Sequence, residues 1–242
     1  MSPPLVSLVQ ARMSSSRLPG KVLLPLGDGT VLDQVLRRAA AFSSQVAVCT
    51  SLEPDDDAIE AHCQKVGALC IRGSRDDVFA RFRAALLDPR VEPGAWFARV
   101  TADCPLVSIP LARRLAEEAA ADPDLDYLCY RLDRLPRGLP VELVRRGAFL
   151  ALDPAALDGP EREHVTLALY ESPGRHRCRR LDPPAGLRHP ELRLTLDHPE
   201  DYALLQRLFE DPDVSAESAV RRMLRDPELP WLNAHCEQRP PR

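Results

Sequence analysis

The sequence predicts an α/β protein organised as a three-layer sandwich, in which a mostly parallel sheet lies between two layers of helices. Short apolar runs alternate with amphipathic stretches through the first two thirds of the chain. Strands that alternate with helices favour parallel pairing through right-handed crossovers, and the crossover helices cover both faces of the sheet. The chain has 242 residues, enough for one sizeable domain and few for two. We therefore expect a single domain over residues 1–242.

Four strands are predicted in the first part of the chain. They are Leu5–Gln10, Gln45–Thr50, Ala68–Arg72 and Ala95–Thr101. Apolar residues at helical spacing after Val31 predict the first helix, and the acidic run Asp55–Asp57 suits the positive end of the second. We expect Ser74 to cap the third helix, and Leu111–Ala121 is the fourth.

After Tyr130 the alternation is weaker, and Pro and Gly are more frequent. The predicted elements there are strands at Pro140–Arg145 and Leu192–Leu196, helices at Glu161–Tyr170, Glu200–Phe209 and Ser215–Arg225, and a frayed tail at Glu237–Arg242. We interpret residues 131–190 as an insertion over the sheet and not as a second domain.

This insertion has more apolar residues than a free loop requires. They include Leu132, Leu135, Leu139, Val141 and Leu143. An exposed apolar patch usually marks an interface between proteins. We therefore expect a homodimer that forms through this segment.

Composition and charge exclude several classes of function. The 36 acidic and 32 basic residues give a net charge of −4, so the chain has no global attraction to nucleic acid or to an anionic membrane. No apolar run approaches the roughly 20 residues of a membrane span, and the first ten residues lack the basic start of a signal peptide. Seven scattered cysteines without C-x-x-C spacing fit reduced thiols. We expect a cytoplasmic protein.

The strongest chemical signal is the loop after the first strand, from Gln10 to Lys21. It contains three hydroxyls, three cations and a glycine, a composition that can cradle an anion beyond the carboxyl end of a strand. It has neither P-loop nor G-x-G-x-x-G spacing, and a solvated surface loop fits its composition equally well. Lys21 favours phosphate binding, because the chain has 30 arginines and only 2 lysines, and a compact ammonium reaches between phosphate oxygens.

Two aspartates follow predicted strands. Asp103 lies in the run Thr101–Pro105, and Asp197 precedes Pro199 at the start of a helix. Mg²⁺ favours one or two carboxylates together with substrate phosphates. A single aspartate at such a position is more often a turn or capping residue. Two of them beside a cationic loop are typical of metal-assisted phosphoryl or nucleotidyl transfer.

The run Gln10–Lys21, with Val22–Leu26 after it, resembles the Q-A-R-M-x-S-x-R-L-P-G-K-V-L opening of the cytidylyltransferase-like family. This family includes the SpsF-like spore-coat polysaccharide proteins and is similar to the acylneuraminate and 3-deoxy-manno-octulosonate cytidylyltransferases. Further matches follow in order at Glu53–Ile59, Arg72–Val78, Arg99–Leu106, Pro136–Leu139, Arg162–Thr166 and Leu194–Asp201. The resemblance covers roughly residues 5–210.

The resemblance implies a nucleotide-diphospho-sugar transferase fold, GT-A-like and Rossmann-like, with CTP as substrate, Mg²⁺ as cofactor and a dimeric assembly. By position, the residues that bind the nucleotide would be Gln10, Ala11, Arg12, Ser15, Arg17, Lys21, Arg72, Gly73, Ser74 and Asp103. Among them, Arg12, Lys21 and Asp103 would be catalytic. Asp103 and Asp197 would hold the metal, and the acceptor side would be lined by Arg137, Glu142, Glu163 and His164.

Three positions depart from the pattern of the family. Ser14 stands in place of a usual glycine, and Ala102 replaces the glycine before Asp103. Pro140 occupies a position where relatives often have aspartate, which affects acceptor recognition. None of these changes removes a proposed phosphate or metal ligand.

We therefore expect transfer of CMP from CTP to a small acidic acceptor, a sialic acid-like or ulosonic acid or a phosphonate, with release of pyrophosphate. One alternative is a GT-A-type glycosyltransferase of surface polysaccharide biosynthesis, which uses a nucleotide-sugar and the same kind of carboxylates. The cationic loop suits a full triphosphate and argues against it. The other alternative is a catalytically idle nucleotide-binding subunit, and the two aspartates argue against that.

Overall fold

The structure, a computed structural model, describes residues 5–172 and 174–236. Its strands are β1 (Leu5–Gln10), β2 (Pro25–Leu26), β3 (Gly29–Thr30), β4 (Gln45–Ser51), β5 (Leu69–Gly73), β6 (Trp96–Thr101), β7 (Tyr127–Tyr130), β8 (Glu142–Arg145) and β9 (Cys178–Leu181). Its helices are α1 (Val31–Ala40), α2 (Asp57–Val66), α3 (Val78–Leu87), α4 (Ile109–Ala121), α5 (Arg146–Ala151), α6 (Gly159–Glu163), α7 (Leu167–Tyr170), α8 (Pro199–Leu208), α9 (Ala216–Arg225) and α10 (Glu228–Trp231).

Seven of these strands form one mixed sheet in the order β5-β4-β1-β6-β8-β7-β9. β1 pairs in parallel with β4 and β6, β4 with β5, and β7 with β9, whereas β8 is antiparallel to both its neighbours. β2 and β3 form a separate hairpin. The mostly parallel sheet predicted from the sequence is confirmed.

The core has two parts, one on each face of the sheet. In β1, Leu5 and Val9 face one side, where α1, α2, α4, α8 and α9 pack. Val6 and Leu8 face the other side, where α3, α5 and α7 pack. Because successive strand residues point to opposite faces, each buried strand contributes to both cores. The three-layer arrangement is therefore present, with helices on both faces.

The segment 131–190 is part of the sheet, since it supplies β8 and β9. Four of the apolar residues that suggested an exposed interface are buried inside the chain: Leu135, Leu139, Val141 and Leu143 are each at most 2% exposed. The premise of an exposed patch is therefore wrong, because these side chains fill the chain's own core. A homodimer stays a prediction that rests on the resemblance alone.

Several predicted elements differ in the structure. Asp77 caps α3 by accepting a hydrogen bond from Ala80 N, while Ser74 Oγ accepts one from Asp77 N in the preceding turn. The predicted helix over 161–170 is divided into α6 and α7, because Val165 has φ of 56° and ends the helical path. β2, β3, β7 and β9 have no counterpart among the predicted strands. The tail predicted at Glu237–Arg242 lies outside the described residues.

The predicted strand at Leu192–Leu196 is an extended segment that pairs with loops. Arg137 N donates to Leu192 O, and Leu194 N donates to Arg137 O at 2.8 Å. Leu196 N donates to Asp103 O, also at 2.8 Å. The leucines at alternate positions of this segment are buried, as in a strand. Its backbone, however, forms hydrogen bonds with the loop at Arg137 and the turn at Asp103.

Gly138 permits this close approach of two loops. Its φ is +102°, and a Cβ added there would lie 2.7 Å from the backbone of Leu194 and Thr195. We expect Gly138→Ala to destabilise the protein by roughly 2–4 kcal/mol, from backbone strain and overpacking together. Thermal melting measures this loss.

Gly147 provides the matched control, since it lies in α5 with nothing within 4 Å of an added Cβ. Gly147→Ala should leave the melting temperature unchanged or raise it slightly. Equal melting temperatures for the two variants would contradict the assigned role of Gly138.

No helix in the described ranges is long and apolar enough to cross a lipid bilayer.

Candidate active site

The loop predicted to bind phosphate leaves the carboxyl end of β1, between β4 and β6. Its start is fixed by the sheet, because Ala11 N donates to Cys49 O and Ala102 N donates to Gln10 O. Its end is closed by a hydrogen bond from Gly20 N to Met13 O. The closed loop directs Lys21 towards the turn that follows β6, where Asp103 lies.

The Lys21 ammonium joins the two predicted metal ligands. Lys21 Nζ donates to Asp103 Oδ2 at 2.7 Å, to Asp197 Oδ1 at 2.8 Å and to Leu196 O at 2.7 Å. The residue is only 8% exposed. Burial alone would lower the pKa of Lys21, but the two carboxylates raise it, so the side chain is charged. The structure thus brings together the three residues that the sequence placed on separate segments.

Asp197 lies at the centre of a larger set of charges. Besides Lys21, its carboxylate pairs with Arg17 at 3.0 Å and with Arg193 at 2.9 Å. Burial raises the pKa of Asp197, but Lys21 and then the two arginines hold it down at about 2. Asp197 is therefore ionised at neutral pH.

A fully buried carboxylate, Asp201, positions this charged cluster. It accepts hydrogen bonds from the Arg193 guanidinium at 2.8 and 3.0 Å and from Asn233 Nδ2 at 2.8 Å. The backbone N–H groups of Asp197 and His198 also donate to Asp201 Oδ2. Arg193, Asp201 and Asn233 were not predicted as site residues. The only signal available was the acidic residue three positions after His198, typical of a capping box at the start of α8.

The donor set at this point fits Mg²⁺. Carboxylate oxygens of Asp103 and Asp197, from separate segments, each lie within 3 Å of one cationic nitrogen. The Lys21 ammonium therefore occupies a position where two carboxylates hold positive charge. Oxygen ligands of this kind, supplemented by substrate phosphates, are the ones that Mg²⁺ prefers.

Two arginines of the loop differ in their surroundings. Arg12 is exposed and makes no hydrogen bond or ion pair with the residues that the structure describes. Arg17 pairs with Asp197, and its Nη1 donates to His198 Nε2 at 3.1 Å. Ser15 Oγ accepts from Leu18 N at 3.4 Å within the loop. Arg12 is thus free to contact an anion from solvent, whereas Arg17 already belongs to the charged cluster.

Arg72, one of the residues predicted to bind the nucleotide, makes contacts within the fold. The Arg72 guanidinium donates to Ser51 O and Glu53 O and pairs with Glu60, so it ties β5 to the connection after β4. Gly73 and Ser74 follow it at the same edge of the sheet as the loop after β1.

Arg81 is a further residue near the site that was not predicted from the sequence. Its side chain is 1% exposed, and Nη1 donates to Ser74 O at 3.0 Å. Nε and Nη2 have no hydrogen-bond partner among the described residues. Burial lowers the pKa of Arg81. A charged residue inside the apolar face of α3 was the available signal, since Phe79 and Phe82 surround it in sequence.

One of the predicted acceptor residues, Glu142, belongs to a hydrogen-bonded group at the end of β1. Glu142 pairs with Arg99 at 3.1 Å, and Thr166 Oγ1 donates to Glu142 at 2.9 Å. Arg99 also donates to Gln10 Oε1 at 3.4 Å, which connects the acceptor side to the end of β1. The other predicted acceptor residues lie in the segments around them: Arg137 beside the extended stretch at 192–196, and Glu163 and His164 at the end of α6.

Comparisons with known proteins agree with this architecture. The chain matches the family described as "Cytidylyltransferase" over residues 6–223. It is 36% identical to the "Spore coat polysaccharide biosynthesis protein SpsF" of Bacillus subtilis over 93% of this chain and 95% of that protein. It is 45% identical to a 3-deoxy-manno-octulosonate cytidylyltransferase of Rhodopseudomonas palustris over 25% of each chain. A solved cytidylyltransferase structure from Leptospira borgpetersenii gives a TM-score of 0.82 at 27% identity, and it covers 93% of this chain and 96% of that one. The chain therefore belongs to the cytidylyltransferase family of nucleotidyl-transferring enzymes.

Proposed function

We propose that this protein transfers CMP from CTP to a small acidic acceptor, a sialic acid-like or ulosonic acid or a phosphonate, and releases pyrophosphate. The observation that supports the proposal most directly is the contact of Lys21, at the end of the cationic loop, with both Asp103 and Asp197. The family supports CTP as the nucleotide donor. A partial match to enzymes named for 3-deoxy-manno-octulosonate, an acidic sugar, supports the acceptor class.

The proposed reaction is an in-line displacement at phosphorus. An acceptor oxygen forms a bond to the α-phosphorus of CTP, the bond to the β-phosphate oxygen breaks, and any hydroxyl proton of the acceptor passes to solvent. Such a reaction needs positioning and charge neutralisation more than covalent participation of the protein. Arg12 is exposed, and we expect it to contact the phosphates.

Lys21 then has the central role within the chain. We expect its ammonium to exchange carboxylate partners for phosphate oxygens when the triphosphate binds, and to stabilise the charge that develops on pyrophosphate. Asp103 and Asp197 would hold Mg²⁺, which when bound neutralises phosphate charge and polarises the phosphoryl group. Asp201 and Arg193 keep Asp197 in place during this exchange.

A pyrophosphate-release assay with each of the four nucleoside triphosphates tests the proposal. The acceptors are a panel of acidic sugars and phosphonates, with neutral sugars as controls. We expect release with CTP and one acidic acceptor, and its loss on addition of a chelator. Turnover of a nucleotide-sugar without pyrophosphate would favour the glycosyltransferase. Binding of CTP without turnover on any acceptor would favour an idle subunit.

Two expectations accompany this function. We expect the enzyme to act in the cytoplasm, where CTP is available, and to be a homodimer. Sedimentation over a range of protein concentrations tests the dimer, and a monomer at all concentrations would contradict it.

Replacing Arg81 should change the stability of the fold and the affinity for CTP in opposite directions. Replacing a buried, incompletely paired charge with a hydrophobic residue of similar length often stabilises a fold. We expect Arg81→Met to raise the stability of the free protein by about 1–2 kcal/mol. It should also weaken CTP binding several-fold, because Ser74 O loses its hydrogen bond from Arg81 Nη1.

Thermal melting and CTP titration by calorimetry measure the two effects. Arg83→Met, on the same helix, is the matched control, because Arg83 donates to Leu150 O, away from the candidate site. A lower melting temperature for Arg81→Met together with unchanged CTP affinity would show that Arg81 has a purely structural role.

A further inference from the structure

A second cluster of metal-ligating side chains lies beside the candidate active site and has no part in the proposed reaction. A ring nitrogen of His198, a carboxylate oxygen of Glu200 and Sγ of Cys236 all lie within 4.8 Å of one another. His235 is adjacent, with Nε2 3.6 Å from Glu200 Oε1. Within 5–172 and 174–236, no other three histidine, cysteine or acidic side chains meet in this way.

The fold holds these ligands in place from two separate segments. His198 and Glu200 belong to the first turn of α8. Cys236 arrives 36 positions after Glu200, and its backbone N–H donates to Asn233 O at 3.0 Å. Asn233 is buried and donates to Asp201 of α8 at 2.8 Å. The turn that carries Cys236 is therefore fastened to α8 independently of any metal.

We infer that His198, Glu200 and Cys236 form a binding site for Zn²⁺ or a metal ion of similar softness, with His235 available as a fourth ligand. Imidazole nitrogen, thiolate sulfur and carboxylate oxygen together are a donor set for zinc and not for Mg²⁺, which takes oxygen ligands. Bonds of about 2.0–2.3 Å bring the donors closer than 4.8 Å, which requires only small side-chain rotations. The Cys236 thiol loses its proton to solvent when it binds.

Charges of both signs surround the cluster. The start of α8 carries the positive end of a helix dipole, which opposes metal binding. The carboxylates of Glu200 and Asp201 are in the first turn of that helix and offset the dipole. Arg17 is the positive group that competes directly, because its Nη1 is 3.1 Å from His198 Nε2.

Metal binding at His198 Nε2 must break this contact with Arg17. A guanidinium only donates hydrogen bonds, so His198 Nε2 is the acceptor in the contact. A metal ion needs the same lone pair of Nε2 and therefore displaces Arg17, which also pairs with Asp197 at 3.0 Å.

Cobalt titration of the chelator-treated full-length protein tests the site, because Co²⁺ bound to a thiolate has a charge-transfer absorption that Co²⁺ bound to oxygen lacks. We expect one equivalent of Co²⁺ to produce this absorption and Zn²⁺ to abolish it by displacement. Cys236→Ser should remove it, and Glu200→Gln should weaken cobalt affinity about 10-fold or more. Arg17→Gln should tighten affinity on the order of 10-fold, since a positive charge and its charge-assisted hydrogen bond to His198 are removed.

The controls separate this site from the candidate active site. Cys178→Ser, at the exposed cysteine of β9, and Asp103→Asn should both retain the absorption. Circular dichroism confirms that each variant is folded. Absence of the absorption at saturating Co²⁺, or its persistence in Cys236→Ser, would overturn the inference. No nucleotide is present, so the result does not depend on whether the protein transfers CMP.

Discussion

Lys21→Arg should lower turnover about 10-fold or more, although the positive charge is retained. A 10-fold loss corresponds to ~1.4 kcal/mol, the size expected for one misplaced charge-assisted hydrogen bond. Three acceptors surround Lys21 Nζ at 2.7 to 2.8 Å, one each from Asp103, Asp197 and Leu196. A tetrahedral ammonium satisfies three acceptors that converge on one point. A planar guanidinium directs its donors outwards in a fork and needs more volume, which a residue only 8% exposed does not have.

Steady-state pyrophosphate release measures the loss, with thermal melting to separate it from unfolding. Lys65→Arg is the internal control, because Lys65 is exposed near the end of α2. Its turnover should equal that of the parent protein. If Lys21→Arg also turned over like the parent, Lys21 would have no role in binding phosphate, and the assignment of the whole loop would fail.

Asp103→Asn and Asp197→Asn should each reduce turnover on the order of 100-fold or more, because each removes a charge proposed to hold one shared metal ion. The double variant should be little worse than the worse single variant, since groups that act as a unit are non-additive. Multiplied losses in the double variant would contradict a shared ion.

The two single variants should differ in stability. Asp197 pairs with Lys21, Arg17 and Arg193, whereas Asp103 pairs with Lys21 alone among the described residues. Asp197→Asn should therefore lower the melting temperature more than Asp103→Asn, because it removes the carboxylate from three cationic side chains and not from one. Melting of both variants without nucleotide or metal measures this difference separately from catalysis.

Sequence patterns predicted the first half of the fold closely. β1, β4, β5 and β6 each have an apolar run bounded by polar residues, and their predicted bounds differ from the observed ones by one residue at most. β7 and β9 were both missed. All four residues of β7 are buried, so it lacks the alternation of polar and apolar residues that marks a strand. Apolar and polar residues alternate over 192–196 as they do in a strand. This pattern indicates that the apolar side chains are buried, but it does not show which segment the backbone pairs with.

The sequence predicted several residues of the candidate site, but only part of the contacts between them. Strand-end positions were enough to bring Asp103 near the loop after β1, since carboxyl ends of parallel strands meet at one edge. The pairing of Lys21 with both carboxylates depends on side-chain packing, for which the sequence has no periodic signal. The same holds for Asp201, whose partners Arg193 and Asn233 lie 8 and 32 positions away.

The ammonium–carboxylate contacts of Lys21 also have a consequence for the order of folding. Its partners Asp103 and Asp197 are 82 and 176 positions away along the chain. Contacts between residues so far apart in sequence form late in folding. The chain must first lose the conformational entropy of closing a long loop, and only then do the contacts stabilise it. During synthesis, the Lys21–Asp197 contact cannot form until the chain has been made as far as Asp197. Substitutions that slow the docking of α8 should therefore reduce the fraction of active molecules without altering any residue that touches substrate.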